Sequence, residues 1–423
     1  MAQNASDRRR SSKTTLAIVL VTFLFFAWGL TMNLVNALDN PMANYLELNS
    51  TESSLLQVAY YGAYFIMAIP ASLVARRFGY KGGILMGLIL FVIGSLITIP
   101  ATNVLSYSLF LFAMFVIAAG AATLETNCNP YITKLGDEKH ESTRLNLSQS
   151  FNGIGNIVGP LILGQIVGEA VAPGNPGFEA ARAAFMSSTQ HLYIWIAVVM
   201  FIVLMIFAFV HLPEPPGDVA ERESGKKSDT PVSKQLFSKR HFVLGVIAEC
   251  IFIGLQVGGM ALFSGFAMRH WDGMSAGTAA SLLALLSLLF TLGRFITTPL
   301  MNRFEPSKIL GVYMVLSAVL MAITAMGIDY VSVITFLIAY LFISIGYPTI
   351  YSLALKGIQG DAAKAGGSAL TMSIIGAALI PLLMSVIADT AGIEIALLIA
   401  VPGFLFDAWY GFKSSRVVPE KEA

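Results

Sequence analysis

Glu125 lies inside an otherwise apolar run, in Leu124-Glu125-Thr126-Asn127-Cys128-Asn129-Pro130. An ionised carboxylate at the centre of a membrane helix costs at least ~2.5 kcal/mol on the insertion scale, so a carboxyl here implies a partner or a task. After a short charged loop the chain resumes as Arg144-Leu145-Asn146-Leu147-Ser148-Gln149-Ser150-Phe151-Asn152, and Gln149, Asn152 and Asn156 recur at spacings of three and four. On a helix that spacing puts three amide side chains on one face. An acid facing an amide ladder offers donors and acceptors to a polyhydroxylated ligand. It also offers cation chemistry: burial favours the protonated carboxyl and wetting releases the proton, whereas carboxylate, amide and hydroxyl oxygens together suit a hard cation such as Na+.

Other residues carry weaker signals of the same kind. Trp28, Asn33, Asn36 and Asp39 succeed one another in the first apolar run, with Asn33 and Asn36 on one face. They read either as interhelical hydrogen bonds within a bundle or as ligand contacts. Gln57 precedes Tyr60, Tyr61, Tyr64 and Phe65, which suit an aromatic belt at the membrane surface or, if they face a cavity, stacking on an apolar ring face. Glu249 and Gln256 are two turns apart on one face. Asp407, near the end of the last apolar run, is expected to be solvated or paired with arginine, and His191 and His211 to sit solvated or packed at membrane edges. Cys128 and Cys250 fall in apolar spans, where packing explains them, and their spacing suggests neither a disulfide framework nor a metal site. No Gly-x-x-x-x-Gly-Lys-Ser/Thr loop occurs, so neither ATP nor any other cofactor is expected.

These residues must be positioned by helices in lipid. Of 423 residues, 56% are hydrophobic and 12% charged, too apolar a balance for a water-soluble globule. A spanning helix needs about 20 apolar residues, and twelve such segments can be marked. The expected organisation is a tail over 1–13, six helices over 14–212, a linker over 213–240 rich in Pro, Ser, Lys and Glu, six more helices over 241–412, and a tail over 413–423. With both termini cytoplasmic, nearly all Lys and Arg fall on the cytoplasmic side and only Arg182 and Arg269 outside, as the positive-inside rule requires. The net charge of +1 conceals this asymmetry and suggests no nucleic-acid partner. The mixed-charge linker is expected to be flexible.

The two halves echo one another. Arg77-Phe78 is matched by Arg303-Phe304, Asn129-Pro130-Tyr131-Ile132 by Tyr347-Pro348-Thr349-Ile350, and Pro160 by Pro381, all at a nearly constant offset. A duplicated six-helix unit with parallel halves follows. Arg77 and Arg303, at equivalent loops, are candidate gating residues.

The motifs Phe25-Phe26-Ala27-Trp28-Gly29, Leu124-Glu125-Thr126 through Asn129-Pro130, Arg144-Leu145-Asn146-Leu147 with Gln149 and Phe151-Asn152, and Tyr347-Pro348-Thr349-Ile350 together resemble the major facilitator superfamily, and within it the fucose/proton symporter family. That resemblance implies an all-α membrane protein of twelve transmembrane helices, monomeric, multi-pass in the bacterial inner membrane. It implies no enzyme but a carrier that imports a monosaccharide with H+ or Na+ by alternating access. Glu125 matches the family's acid on helix 4 and Asn152 the asparagine on helix 5. The acid on helix 1 falls on Asn36, with Asp39 the nearest carboxyl. The expected cation set is therefore Glu125, Asn152, Asn36 and Asp39, and the expected sugar set Trp28, Asn33, Asn36, Gln57, Tyr61, Glu125, Gln149, Asn152 and Gln256. H+ is favoured narrowly over Na+, because burial of one carboxyl suffices for a proton while Na+ needs several placed ligands. A channel or receptor is the competing class, and the repeat with its deep acid argues against it.

Overall fold

The computed structural model describes residues 2–48, 50–167, 171–224 and 231–417. Regular structure among them is helical, and ten stretches are long and apolar enough to cross a membrane. The chain packs as two compact units, one of residues 1–131 and 151–214, the other of 132–150 and 215–423.

The first unit holds α1 (Ala2–Tyr45), α2 (Ser50–Asn103), most of α3 (Tyr107–Lys134) and of α4 (Glu141–Val167), and α5 (Phe178–Phe209). The helical path of α2 breaks at Gly79, where φ is 74° and ψ 171°. Only glycine takes that conformation without strain, so the basic loop 76–81 becomes a sharp break between two arms. The second arm lies close along α3: a Cβ at Gly120 would stand 2.7 Å from the Phe91 amide nitrogen. α1 and α4 meet as closely, since a Cβ at Gly155 would stand 2.3 Å from the Leu30 amide nitrogen and one at Gly29 2.6 Å from Asn152 Nδ2. Small residues thus hold backbones together where lipid supplies no hydrophobic drive. At the end of α5, Lys81 Nζ donates to the carbonyls of Ala208 and Val210, each at 2.8 Å, satisfying groups a helix end leaves open.

The second unit is built on α8 (Arg240–His270), which packs against α12 (Gly346–Ala354) and α14 (Gly376–Ala391). Around it lie α9 (Ala276–Leu300), α10 (Pro306–Ala325), α11 (Asp329–Ile343), α13 (Gly360–Met372), α15 (Ile393–Leu398) and α16 (Ala400–Trp409), which runs into a π turn at Tyr410–Ser414. α12 starts afresh after α11, with Pro348 in its first turn, where a missing N–H is harmless. The break between α15 and α16 falls just ahead of Pro402 for the same reason.

The linker departs from expectation. Its described parts form α6 (Pro216–Ser224) and α7 (Val232–Phe237), and α6 docks on α13. Asp218 pairs with Lys364 at 3.1 Å, and a Glu221 oxygen accepts the Asp361 amide at 3.0 Å, at the positive end of the α13 dipole. Packing against α13, invisible in composition, orders what mixed charge alone would leave loose. Leu236 of α7 is buried beside Gly366.

Candidate functional site

In the first unit the apolar setting of Glu125 holds, and the carboxyl is half-buried on α3. Its partner comes from α2: the Tyr64 hydroxyl is hydrogen-bonded to Glu125 and to Tyr60. Tyr60 stands edge-on to Tyr61 at 5.1 Å between ring centroids and beside Tyr64 at 5.2 Å. Tyr64 is buried whereas Phe65 is 46% exposed. Tyr64 therefore faces inward with Tyr60 and Tyr61 half-buried beside it, and only Phe65 takes the lipid-facing place expected of a belt. Tyr64 was not among the residues singled out by motif, because four aromatics in six positions look alike until a helix face is assigned.

The amide ladder divides. Asn152 Nδ2 donates to the Phe25 carbonyl at 3.1 Å, and Asn33 Nδ2 donates to the Gly29 carbonyl at 2.8 Å and to Asn156 Oδ1. Asn33, Asn152 and Asn156 thus stitch α1 to α4 while all three remain half-buried. Trp28 is 3% exposed and packs on Phe25 at 4.4 Å between centroids, which makes it part of the same seam. Asn36, Asp39 and Gln57 lie outside the residues whose side chains are described.

Gln149 belongs to the second unit and is buried there, its carbonyl accepting Arg294 Nη1 at 3.0 Å. Gln256 on α8 is half-buried. Its carbonyl accepts the Tyr340 hydroxyl at 2.6 Å, and its side-chain oxygen has no hydrogen-bond partner among the described residues. A buried, unsatisfied amide oxygen is an acceptor ready for a ligand hydroxyl. Glu249, two turns earlier, is fully buried.

The second unit also holds a charged lock that motif reading overlooked. Lys134, at the end of α3, donates to Glu141 at 2.8 Å and to the Leu355 carbonyl, just past α12, at 2.7 Å. Beside it Ser142 and Ser352 share a hydrogen bond of 2.6 Å, and Asn146 reaches Thr349 at 3.1 Å. Arg294 spans the Ser344 carbonyl at 2.6 Å and that of Gln149. Arg144 closes the end of α3, donating to the carbonyls of Ile132 and Thr133 at 3.1 and 2.7 Å and to Asp137 at 3.1 Å. His140 and Arg144, by hydrogen bond and charge, overcome the modest burial of Asp137 and hold its carboxyl below its usual range. The segment 132–150 is thereby fastened to α9 and α12 by groups that also satisfy helix ends. Of the expected gating residues, Arg77 is exposed over the Phe78 ring, and Arg303 is exposed at the rim of a cavity of about 490 Å³ lined also by Glu138, Lys139, Glu305 and Lys356. Lys134, Glu141 and Arg294 of the lock, by contrast, are buried.

Among the described residues no group of three or more His, Cys, Asp or Glu side chains could hold a metal ion.

Residues 18–366 match the family model of the Major Facilitator Superfamily. The chain is 32% identical over 398 residues to an L-fucose-proton symporter of Escherichia coli, covering 91% of this chain and 90% of the relative. It is 33% identical over 404 residues to a glucose/galactose transporter of Brucella abortus, covering 95% and 94%. The crystal structure of the superfamily transporter FucP in the outward conformation superposes with a TM-score of 0.87 at 30% identity, over 96% of this chain and all of that one.

Proposed function

We propose that this chain, which belongs to the major facilitator superfamily, imports a hexose or deoxyhexose by symport with H+ through alternating access. It is a multi-pass transporter of the bacterial inner membrane and not an enzyme. The observation that carries the proposal is Glu125, a carboxyl set in an apolar helix and hydrogen-bonded to Tyr64. Its carboxyl takes a proton when enclosed and loses it when wetted, and Tyr64 senses the change, because its hydroxyl can donate to the carboxylate and accept from the acid. A sugar needs hydroxyl partners and a ring face. In the first unit Asn33 and Asn152 are suited to the first, and Tyr60 and Tyr61 to the second.

Relatives named for fucose with proton, and for glucose and galactose, support the sugar class and favour the proton. Twelve spans follow if the stretch Val58–Asn103 is counted as two at Gly79 and the 27-residue α4 is added to the others. Both termini are then cytoplasmic, with the halves meeting the linker near residues 213 and 240. The lock of Lys134, Glu141 and Arg294 then lies at the cytoplasmic end, and it must release for the carrier to open inward.

The test is uptake of labelled L-fucose, D-glucose, D-galactose, D-mannose and N-acetylglucosamine into proteoliposomes under imposed H+ or Na+ gradients. Accumulation driven by the H+ gradient and abolished by an uncoupler is expected. Accumulation that requires Na+ and ignores the uncoupler would replace H+ by Na+, and gradient-independent, non-saturable flux would replace the symporter by a channel.

A further inference from the structure

Asp407 stands on α16 where its sequence position suggests contact with water or with arginine. The structure provides neither. Asp407 is 0% exposed, and neither carboxyl oxygen has a hydrogen-bond partner among the described residues. A carboxylate so placed carries a desolvated charge that nothing offsets, whereas the neutral acid loses far less on burial.

The elements packed against α16 are α8, α10, α15 and the π turn. Their cations are engaged or exposed. Arg269 and His270 of α8 pair with Glu394 of α15, and Lys308 of α10 pairs with Glu305. Arg240 and Lys413 are exposed, and the His241 ring meets the Lys356 carbonyl at 3.0 Å. Of the remaining titratable groups, the Tyr313 hydroxyl is taken by Thr297, and Cys250 backs onto Gly376. One group stays close: Tyr410 lies within electrostatic range of Asp407, and of Glu249 as well. The Tyr410 hydroxyl donates to the His241 carbonyl at 3.1 Å and has a lone pair to spare. It also opens the π turn, a backbone irregularity that gathers at functional sites. From Tyr410, its hydrogen bond to the His241 carbonyl and the His241 ring's contact with Lys356 lead to exposed surface.

We propose that Asp407 is a second proton-binding carboxyl, held as the neutral acid while α8, α10 and α16 enclose it and exchanging that proton with water on the Tyr410 and His241 side when they loosen. Release leaves the carboxylate and one solvated proton, and uptake of one proton restores the acid. The site's benefit to transport rests on the symport reading, but its protonation does not.

The experiment is infrared spectroscopy of the full chain in lipid bilayers, with aspartate labelled by carbon-13 at the side-chain carboxyl. At neutral pH a protonated-aspartate carbonyl band that shifts with the label is expected, to be lost in Asp407→Asn. Asp407→Glu, which keeps an acid, should move the band out of the labelled set, and it serves if the asparagine variant fails to fold. Transfer to D2O should shift the wild-type band as the proton exchanges. No such band, a band unchanged in either variant, or a band that never exchanges would overturn the proposal. Accumulation of L-fucose, D-glucose and D-galactose is measured in the same vesicles. If it is absent while the Asp407 band exchanges, the symport reading alone fails.

Discussion

Replacing Lys134 by methionine tests the lock most sharply. Lys134 and Glu141 are 9% and 5% exposed, and the lysine also satisfies the Leu355 carbonyl. Methionine preserves much of the stem but leaves the Glu141 carboxylate buried without its counter-charge. Breaking a buried pair by removing one partner costs about 3–5 kcal/mol, much of it the penalty on the partner left behind. At 1.4 kcal/mol per tenfold, the closed arrangement of 132–150 on α12 should lose roughly a hundred- to a few-thousand-fold in population relative to an open one. The double variant Lys134→Met, Glu141→Gln removes both charges and should recover to within about 1 kcal/mol, as replacement of whole buried pairs often does. The readout is a cysteine at Ser352, which is 2% exposed and bonded to Ser142, in a background lacking Cys128 and Cys250. A membrane-impermeant maleimide should label it at least about tenfold faster in the single variant and near the wild-type rate in the double. If the single variant labels and melts like the wild type, or the double labels as fast as the single, the pair does not hold this segment.

Glu125→Gln should abolish accumulation of sugar against a gradient while exchange across equilibrated vesicles survives, and full concentrative uptake would remove Glu125 from coupling. Tyr64→Phe deletes a hydrogen bond to an ionisable group, worth about 1.5–3 kcal/mol, so coupled uptake should fall roughly ten- to a hundredfold with the fold intact by thermal unfolding. Gly155→Val forces a side chain against the Leu30 backbone and should prevent stable assembly, read as loss of a monodisperse peak in detergent. Burial raises the Asp218 carboxyl above its ordinary 3.8 despite the opposing charge of Lys364. The docked state therefore binds the proton more tightly than the free one, and docking of α6 should weaken as pH rises from 3.8 through the raised value. Amide exchange of 216–224 across that window should show the trend, and Asp218→Asn should flatten it.

The spans were legible because lipid imposes apolar length on the sequence, visible residue by residue; the seams at Gly29 and Gly120 emerge only with the neighbouring helix in place. α4 is the instructive exception. Its amides were legible as one polar face, but that they build a seam to α1 through Asn33, Asn152 and Asn156 was not. Glu125 was legible as a charge out of place. Tyr64 was not, since its meaning depends on which face of α2 meets α3. Lys134 and Arg294 were read only as topological charges and Arg144 also as part of a motif, although each saturates carbonyls at helix ends or breaks. That second role needs the three-dimensional course of two helices and leaves no local pattern.

Asp407 shows the same limit in reverse. Distance along an apolar run is a fair measure of membrane depth, and by that measure Asp407 belongs near water. Depth does not determine exposure once neighbouring helices close over a position. Gly403 lets α8 approach, a Cβ there falling 2.3 Å from Leu255 Cδ1, and Gly411 does the same for α10, with a Cβ there 2.8 Å from the Ser307 carbonyl. Asp407 lies midway between these two glycines, one turn from each, so the close contacts that exclude water are set by residues flanking it on its own helix. Enlarging Gly403 to alanine should therefore wet Asp407 without touching its carboxyl. The protonated-aspartate band of the wild type should weaken at neutral pH in that variant, and an undiminished band would show that helix closure is not what keeps the acid neutral.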